Sequence, residues 1–283
     1  MASFTNFATL SYNGGTTNSN IVTGEILEAL TAVKTAVSAN YSAGDRITYA
    51  LSLVNTGTAA ITDYTVTDNL GGYTVGANTV YPLAYNAGTV RYYINGVLQT
   101  APTVTAGPPL TVTGLTVPAG GSAVLIYETT ATPVAPLATG SSITNTATIT
   151  GGGLTTPITA QATVETANSA DLSISKALSP TTVTENGQIT YTFVISNTGN
   201  TEATATGNVV VTDTFSPILR NIAVTYNGTA WTEGTNYTYN AATGVFTTLA
   251  RQITVPAASF TQNTDGTFTV TPGTATLVIT GTV

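Results

Sequence analysis

Neither cysteine nor histidine occurs in this 283-residue chain, and lysine and arginine together number only six. The first absence removes disulfides, thiol nucleophiles and thiolate zinc ligands; the second removes imidazole bases and the commonest transition-metal ligand. Metal ions and cofactors are therefore not expected. Against thirteen acidic residues the six basic ones leave a formal charge of -7, with no basic patch to neutralise a phosphate backbone. Nucleic acid is not expected as a partner. There is no run of about 18 apolar residues that could span a bilayer as a helix, and the opening MASFTNFATLSYNGG lacks the basic and apolar regions of a signal peptide. Membrane insertion is not expected. Any catalysis would fall to carboxylates, lysines and hydroxyls, and the thirteen acids are scattered rather than paired as a hydrolase cleft requires. An enzyme is not expected.

What is present is β-sheet composition: 42% hydrophobic and only 7% charged residues, with many Thr, Gly, Val and Ala. The length suffices for two ordinary domains. An internal repeat supports that division. LTAVKTAVSANYSAGDRITYALSLVNTG (Leu30 to Gly57) and LSISKALSPTTVTENGQITYTFVISNTG (Leu172 to Gly199) share one register, so that Lys34 matches Lys176, Tyr49 matches Tyr191 and Asn55 matches Asn197. Further on, TVTDNL (Thr65 to Leu70) answers VVTDTF (Val210 to Phe215), and VPAGGSAVLIYETT (Val117 to Thr130) answers TPGTATLVITGTV (Thr271 to Val283). Apolar and polar residues alternate between Gly-, Asn- and Pro-containing turns, the pattern of sandwiches with one face inward. The expected fold is all-β, two tandem immunoglobulin-like β-sandwiches. GEILEALTAVKTAV from Gly24 could pass for an amphipathic helix, but its counterpart DLSISKAL could not; its later half is read as strand and Glu25 to Ala29 as linker.

The two copies end differently. The first continues into SSITNTATITGGGLTTPITAQATVET (Ser141 to Thr166), a β-hairpin, and nothing answers it in the second copy up to Val283. FTNFATLSYNG (Phe4 to Gly14) does match ITNTATITGGG (Ile143 to Gly153), with SNIVTGEI as the return strand. The expected division is residues 1-29 as a donor hairpin and linker, 30-167 as a complete sandwich, and 168-283 as a sandwich lacking its final hairpin. Such a sandwich exposes unpaired backbone beside an open core. The hairpin could fold back onto its own chain or insert into the last domain of a neighbour, with Phe4, Asn6, Phe7, Ala8, Leu10, Ile21 and Val22 at the interface. Sequential domains would hold the hairpin roughly 40 Å from its own last sandwich by compact-domain dimensions, which favours the neighbour and an open head-to-tail filament.

Parity selects a second group. Residues two apart share a face, which places Lys34 with Leu30 and Ala32, Asp68 with Tyr64 and Val66, and Asn145 with Ile143, Ala147 and Ile149. The copies repeat this as Lys176, Asp213 and, on the N-terminal hairpin, Asn6. Burying an amine, a carboxyl and a carboxamide is costly without partners. An apolar pocket favours their neutral forms: a nucleophilic amine, and an acid able to polarise the carboxamide towards a Lys–Asn isopeptide bond with loss of ammonia. A hydrogen-bonded Lys–Asp pair with the Asn capping a strand end accounts for the same residues.

Taken together, the GD.ITY…NTG, VTD and NTAT signatures resemble the surface-repeat domain of bacterial cell-envelope proteins, an immunoglobulin-like domain of unknown function, over nearly the whole chain. The trio resembles that of isopeptide-bearing adhesin and pilin domains. The resemblance implies a Lys34–Asn145 bond assisted by Asp68 in the first domain, and Lys176 and Asp213 completed by Asn6 of a neighbouring subunit. The expected function is a structural subunit of an extracellular or spore-surface filament, the spore version resting on the missing signal peptide. The alternative is a monomeric surface adhesin or stalk module. Expected partners are further copies of the chain, with a surface receptor that no motif identifies. Asn40, Asn227 and Asn236 lie in glycosylation sequons but are read as turns, Asp265-Gly266 as a hairpin turn rather than a calcium loop, and Trp231 with the fourteen Tyr as packing or subunit contacts.

Overall fold

The computed structural model describes residues 2–26 and 29–283, with the side chains of all of these except Ala2 and Ile26. The fold is all-β, with one short 3-10 turn at Ala205–Gly207. Among the described residues, no helix is long and apolar enough to cross a membrane. By contacts the chain divides into two units, Met1–Ala135 with Ser142–Glu165, and Pro136–Ser141 with Thr166–Val283.

The first unit opens with an arm of four short strands: β1 (Ala2–Asn6), β2 (Thr9–Tyr12), β3 (Gly15–Asn18) and β4 (Val22–Ile26). β1 pairs with β4 and β2 with β3 across an Asn13-Gly14 turn, so the arm is one long hairpin. The register slips by one residue between Asn6↔Val22 and Thr9↔Asn18, a bulge on the return strand. Glu25 and Ile26 thus belong to a strand, not to a linker, because they pair with Ser3 and Ala2. Leu27 and Glu28, the middle of that expected linker, lie outside the described residues.

The sandwich of this unit follows as β5 (Leu30–Ala36), β6 (Asn40–Tyr41), β7 (Arg46–Asn55), β8 (Ile61–Asp68), β9 (Tyr73–Val75), β10 (Asn78–Val80), β11 (Leu83–Tyr85), β12 (Arg91–Ile94), β13 (Val97–Leu98), β14 (Thr103–Thr105), β15 (Leu110–Val117), β16 (Ser122–Ala131), β17 (Ser142–Gly151) and β18 (Ile158–Thr166). One sheet runs β13-β12-β16-β7-β5; the other runs β14-β15-β8-β17-β18-β6. The period-two alternation buries Ile47, Tyr49, Leu51 and Leu53 from the first sheet against Tyr64, Val66, Ile143, Ala147 and Ile149 from the second. Asn40, read as a turn, instead begins β6, which is held by β18.

In the second unit the strands are β19 (Leu172–Ser179), β20 (Gln188–Asn197), β21 (Thr212–Thr214), β22 (Arg220–Tyr226), β23 (Thr229–Trp231), β24 (Tyr237–Asn240), β25 (Val245–Thr248), β26 (Ser259–Gln262), β27 (Phe268–Thr271) and β28 (Gly273–Thr282). Its first sheet, β19-β20-β28-β22-β23, repeats the path β5-β7-β16-β12-β13 of the other unit, without a separate counterpart of β11, which pairs with β16 there. Its second sheet is only β21-β25-β24. β26 and β27 form a separate hairpin whose turn holds Asp265 and Gly266. That hairpin is an insertion, and it corrects one sequence match. Strand β28 does answer β16, but Pro118 corresponds to Pro256 and not to the proline before β28.

Buried Asn55 and Asn197 identify the corresponding prolines. Asn55 donates to the carbonyls of Ala59 (2.8 Å) and Pro118 (3.0 Å) and accepts from the Gly57 amide; Asn197 donates to Thr201 (2.8 Å) and Pro256 (3.0 Å) and accepts from Gly199. A tyrosine repeats likewise, Tyr92 donating to the Thr116 carbonyl and Tyr226 to Thr254. Trp231 stacks on Tyr226, with ring centroids 4.8 Å apart. Each NTG asparagine, itself buried, fastens two loops at one end of its sandwich, and its loss removes the donor from both carbonyls. Replacing Asn55 or Asn197 by Ala is expected to destabilise the domain that holds it by about 2–3 kcal/mol, measured by urea denaturation.

Candidate functional site

Strand parity brings Lys34, Asp68 and Asn145 into the interior of the first sandwich from two directions. Lys34 descends from β5 in one sheet; Asp68 on β8 and Asn145 on β17 rise from the other. β8 and β17 are neighbours with Ala147 opposite Asp68, so Asn145, two residues on, shares its face diagonally. All three are buried. The Lys34 Nζ lies 2.5 Å from the Asp68 Oδ2, with neither side chain more than 1% exposed. Asp68 Oδ1 accepts the Leu70 amide at 2.9 Å.

Two aromatic residues complete the site. Tyr127 on β16 donates its hydroxyl to Asp68 Oδ2, and Tyr49, its cross-strand partner on β7, stacks against it with centroids 5.8 Å apart. The Lys34 ammonium position lies over both rings, 4.8 Å from the centroid of Tyr49 and 5.9 Å from that of Tyr127. Sequence reasoning passed over both tyrosines as packing. The signal for Tyr127 was its parity with buried Ala123 and Leu125.

Desolvation decides the charge of this lysine. Burial lowers the Lys34 pKa to about 8, overriding the Coulombic and hydrogen-bonding pull of Asp68 in the opposite direction. Burial likewise raises the Tyr49 and Tyr127 phenols, assisted by the nearby Asp68. The Asn145 carboxamide pulls both phenols down. Neither contact reaches hydrogen-bond geometry, however, and both Oδ1 and Nδ2 of Asn145 are buried without a hydrogen-bond partner. Nothing here caps a strand end with the Asn145 side chain.

The second sandwich holds half of this site. Lys176 Nζ is again 2.5 Å from Asp213 Oδ2, and again lies over rings: Tyr191 at 4.5 Å, Phe193 at 5.4 Å and Phe215 at 5.5 Å. Ile279 takes the place of Tyr127, on the evidence of the β20–β28 register. The environment differs sharply, since the Lys176 side chain is 41% exposed where that of Lys34 is fully buried. All eight residues of β19 are exposed, including Leu172, Ile174 and Leu178. The cause is topological. β8 is flanked by β15 and β17, whereas β21 pairs only with β25, and among the described residues no strand takes the place of β17 and β18.

The remaining candidates lie on the arm. Phe4, Asn6, Phe7, Ala8, Leu10, Ile21 and Val22 are all exposed, and among the described residues the arm strands pair only with one another. Asn6 stands exposed on β1 opposite Val22. The arm nevertheless repeats the pairing of β17 with β18. Ser3↔Glu25, Phe4↔Gly24, Thr5↔Thr23 and Asn6↔Val22 reproduce Ser142↔Glu165, Ile143↔Val164, Thr144↔Thr163 and Asn145↔Ala162.

No protein-family model matches the chain, and no curated protein matches it. Among solved structures it is similar to BcpA, the major pilin subunit of Bacillus cereus (14% identity, 96% of this chain and 73% of that one, TM-score 0.35). The pilus backbone RrgB of Streptococcus pneumoniae aligns at 14% identity over 86% of this chain and 55% of that one, TM-score 0.36. The N-terminal domain of the Streptococcus gordonii adhesin Sgo0707 aligns at 15% identity over 47% of this chain, TM-score 0.35, and the chain spans 31% of that structure's length. At these scores the likeness carries no argument about assembly or chemistry.

The depressed lysine pKa has a consequence for stability. Folding with Lys34 near pKa 8 releases a proton that the unfolded chain keeps up to about 10.5, so stability rises with pH across that interval. The raised phenols act oppositely above about pH 10, where unfolded tyrosine ionises. With Lys34 as a free amine, the first domain is expected to gain stability from pH 8 to 10 and lose it beyond. Thermal melts at stepped pH check this.

Proposed function

We propose that this protein is the structural subunit of a surface filament that grows head to tail, each arm completing the last domain of the next copy. The observation that carries this reading is the paired mismatch: among the described residues β21 has a free edge where the first domain has β17 and β18, and β1 with β4 has their strand register. A hairpin added there supplies the missing backbone partners and covers the exposed apolar face of β19. The contact joins two different surfaces, and repeating it without closure gives a fibre.

The same placement would set Asn6 beside Lys176 and Asp213, as Asn145 stands beside Lys34 and Asp68. In each case the lysine nitrogen attacks Cγ of the asparagine, the new C–N bond replaces the Cγ–Nδ2 bond, and Nδ2 leaves as ammonia. The carboxyl of Asp68 or Asp213, in contact with the amine, relays the proton from nucleophile to leaving group. An unpartnered, buried carboxamide and a lysine drawn towards its neutral form support the first-domain bond. Docking would bury Lys176 and so bring the second site to the same condition, welding subunits together.

Negative-stain microscopy of the protein with and without residues 2 to 24 tests the assembly. Fibres are expected only from the intact chain; an assembly state unchanged by the deletion would end the donor reading, and the absence of fibres from both forms would leave a monomeric surface module. Intact mass tests the chemistry. Each bond lowers the mass by one ammonia, Asn145→Ala abolishes the loss within the chain, and Asn6→Ala makes fibres that dissociate on boiling in detergent. A full-length mass equal to that of the sequence would exclude the Lys34–Asn145 bond.

A further inference from the structure

The arm and the β17–β18 hairpin share a register but not their side chains, and the differences fall on one point of the slot. Phe4 takes the place of Ile143, Gly24 that of Val164 opposite it. Across the slot, the repeat register gives the second domain Val183 where the first has Tyr41. In the first domain all three are buried: Tyr41 and Val164 completely, Ile143 to 2% exposure. Ile143 packs so closely on Gly71 that a Cβ there would come within 2.5 Å of its methyl. Ser216 stands at the matching place in the second domain. It borders an open groove shared with Leu178, Val183, Ile189, Tyr191 and Pro217.

The three replacements compensate. Ile to Phe enlarges the hairpin side, Val to Gly makes room for it, and Tyr to Val empties the domain side. The arm already shows the first half of this exchange, because the Phe4 ring lies over Gly24 so closely that a Cβ there would meet it at 2.4 Å. Val183, by contrast, is 37% exposed where Tyr41 is fully buried. Close packing penalises both holes and overlaps.

Resting on the donor reading above, we infer that Phe4 is the anchor of the junction, seating in the Leu178–Val183–Ile189–Tyr191–Pro217 groove of a second copy. The Phe4–Gly24–Val183 set then makes the arm specific for the second kind of slot. In a slot of the first kind Phe4 would overlap Tyr41; in the second slot an Ile/Val hairpin would leave a void. The arm therefore does not displace β17 and β18 of a first domain, and growth stays head to tail. The seat also fixes register. With Phe4 in the groove, Ala8 falls opposite Asp213 as Ala147 does opposite Asp68, and the Glu25 amide meets the Thr181 carbonyl as Glu165 meets Ala39 at 2.9 Å.

Full-length variants test this by sedimentation velocity and negative stain, with far-UV circular dichroism to verify folding. Phe4→Ala and Val183→Tyr are each expected to weaken assembly about tenfold or more, as loss of a central anchor does. Adding Phe4→Ile and Gly24→Val to Val183→Tyr is expected to recover assembly, since the set then matches the first domain. Phe4 is exposed in the free chain, so Phe4→Ala decides the matter if Val183→Tyr disturbs the fold. Wild-type assembly by Phe4→Ala or by folded Val183→Tyr, or a triple variant no better than Val183→Tyr alone, overturns the anchor. Those outcomes leave the donor reading intact as long as removing residues 2 to 24 abolishes fibres; if that removal changes nothing, the donor reading itself fails.

Discussion

A β-strand needs hydrogen-bonding partners on both sides or solvent on the open one, and a sheet face made of Leu, Ile and Phe needs a cover. In the first domain β17 and β18 meet both needs at once, pairing with β8 and roofing the opposite sheet. In the second domain both needs go unmet along the same line, from Leu172 to Leu178 on β19 and along β21. Backbone groups left beside an apolar surface are an association site by default. The rest of the molecule's organisation follows from that one asymmetry between two otherwise matched sandwiches.

The same asymmetry separates two chemically similar lysines. Both sit 2.5 Å from an aspartate and over aromatic rings. Only one is dry, and dryness is what moves its proton equilibrium. The same Lys–Asp pair therefore stands closed to solvent in one domain and open to it in the other.

Period-two alternation made the faces legible: Lys34, Asp68 and Asn145 could be placed in one interior because parity is insensitive to loop length. The repeat likewise exposed the unmatched hairpin, through Asn6 and Asn145 in a common motif. Loop insertions were not legible, which is why the proline of Val255-Pro256 was mistaken for a later one; a hairpin of 13 residues, Ser259 to Thr271, intervenes. Parity marks Tyr127, one of fourteen tyrosines, as inward-facing, but only the structure shows its hydroxyl meeting Asp68 and its ring paired with Tyr49. Asn40 sits in a two-residue strand that exists because β18 holds it, a tertiary effect with no local signature. Glu25 and Ile26 extend the arm because Ala2 and Ser3 pair with them, which no composition announces.

The sheets to which β5 and β18 belong give the first domain a definite mechanical axis. Tension along the backbone enters at β5, in one sheet, and leaves at β18, in the other. Pulling therefore shears the layers past each other rather than unzipping a single ladder. The side chains that bridge the layers nearest this path are Lys34 and Asp68, with Asn145 on the strand beside the exit. The Lys34–Asp68 contact is one that such shear has to break, and a covalent tie between the layers there would carry load past the hydrogen-bonded strands.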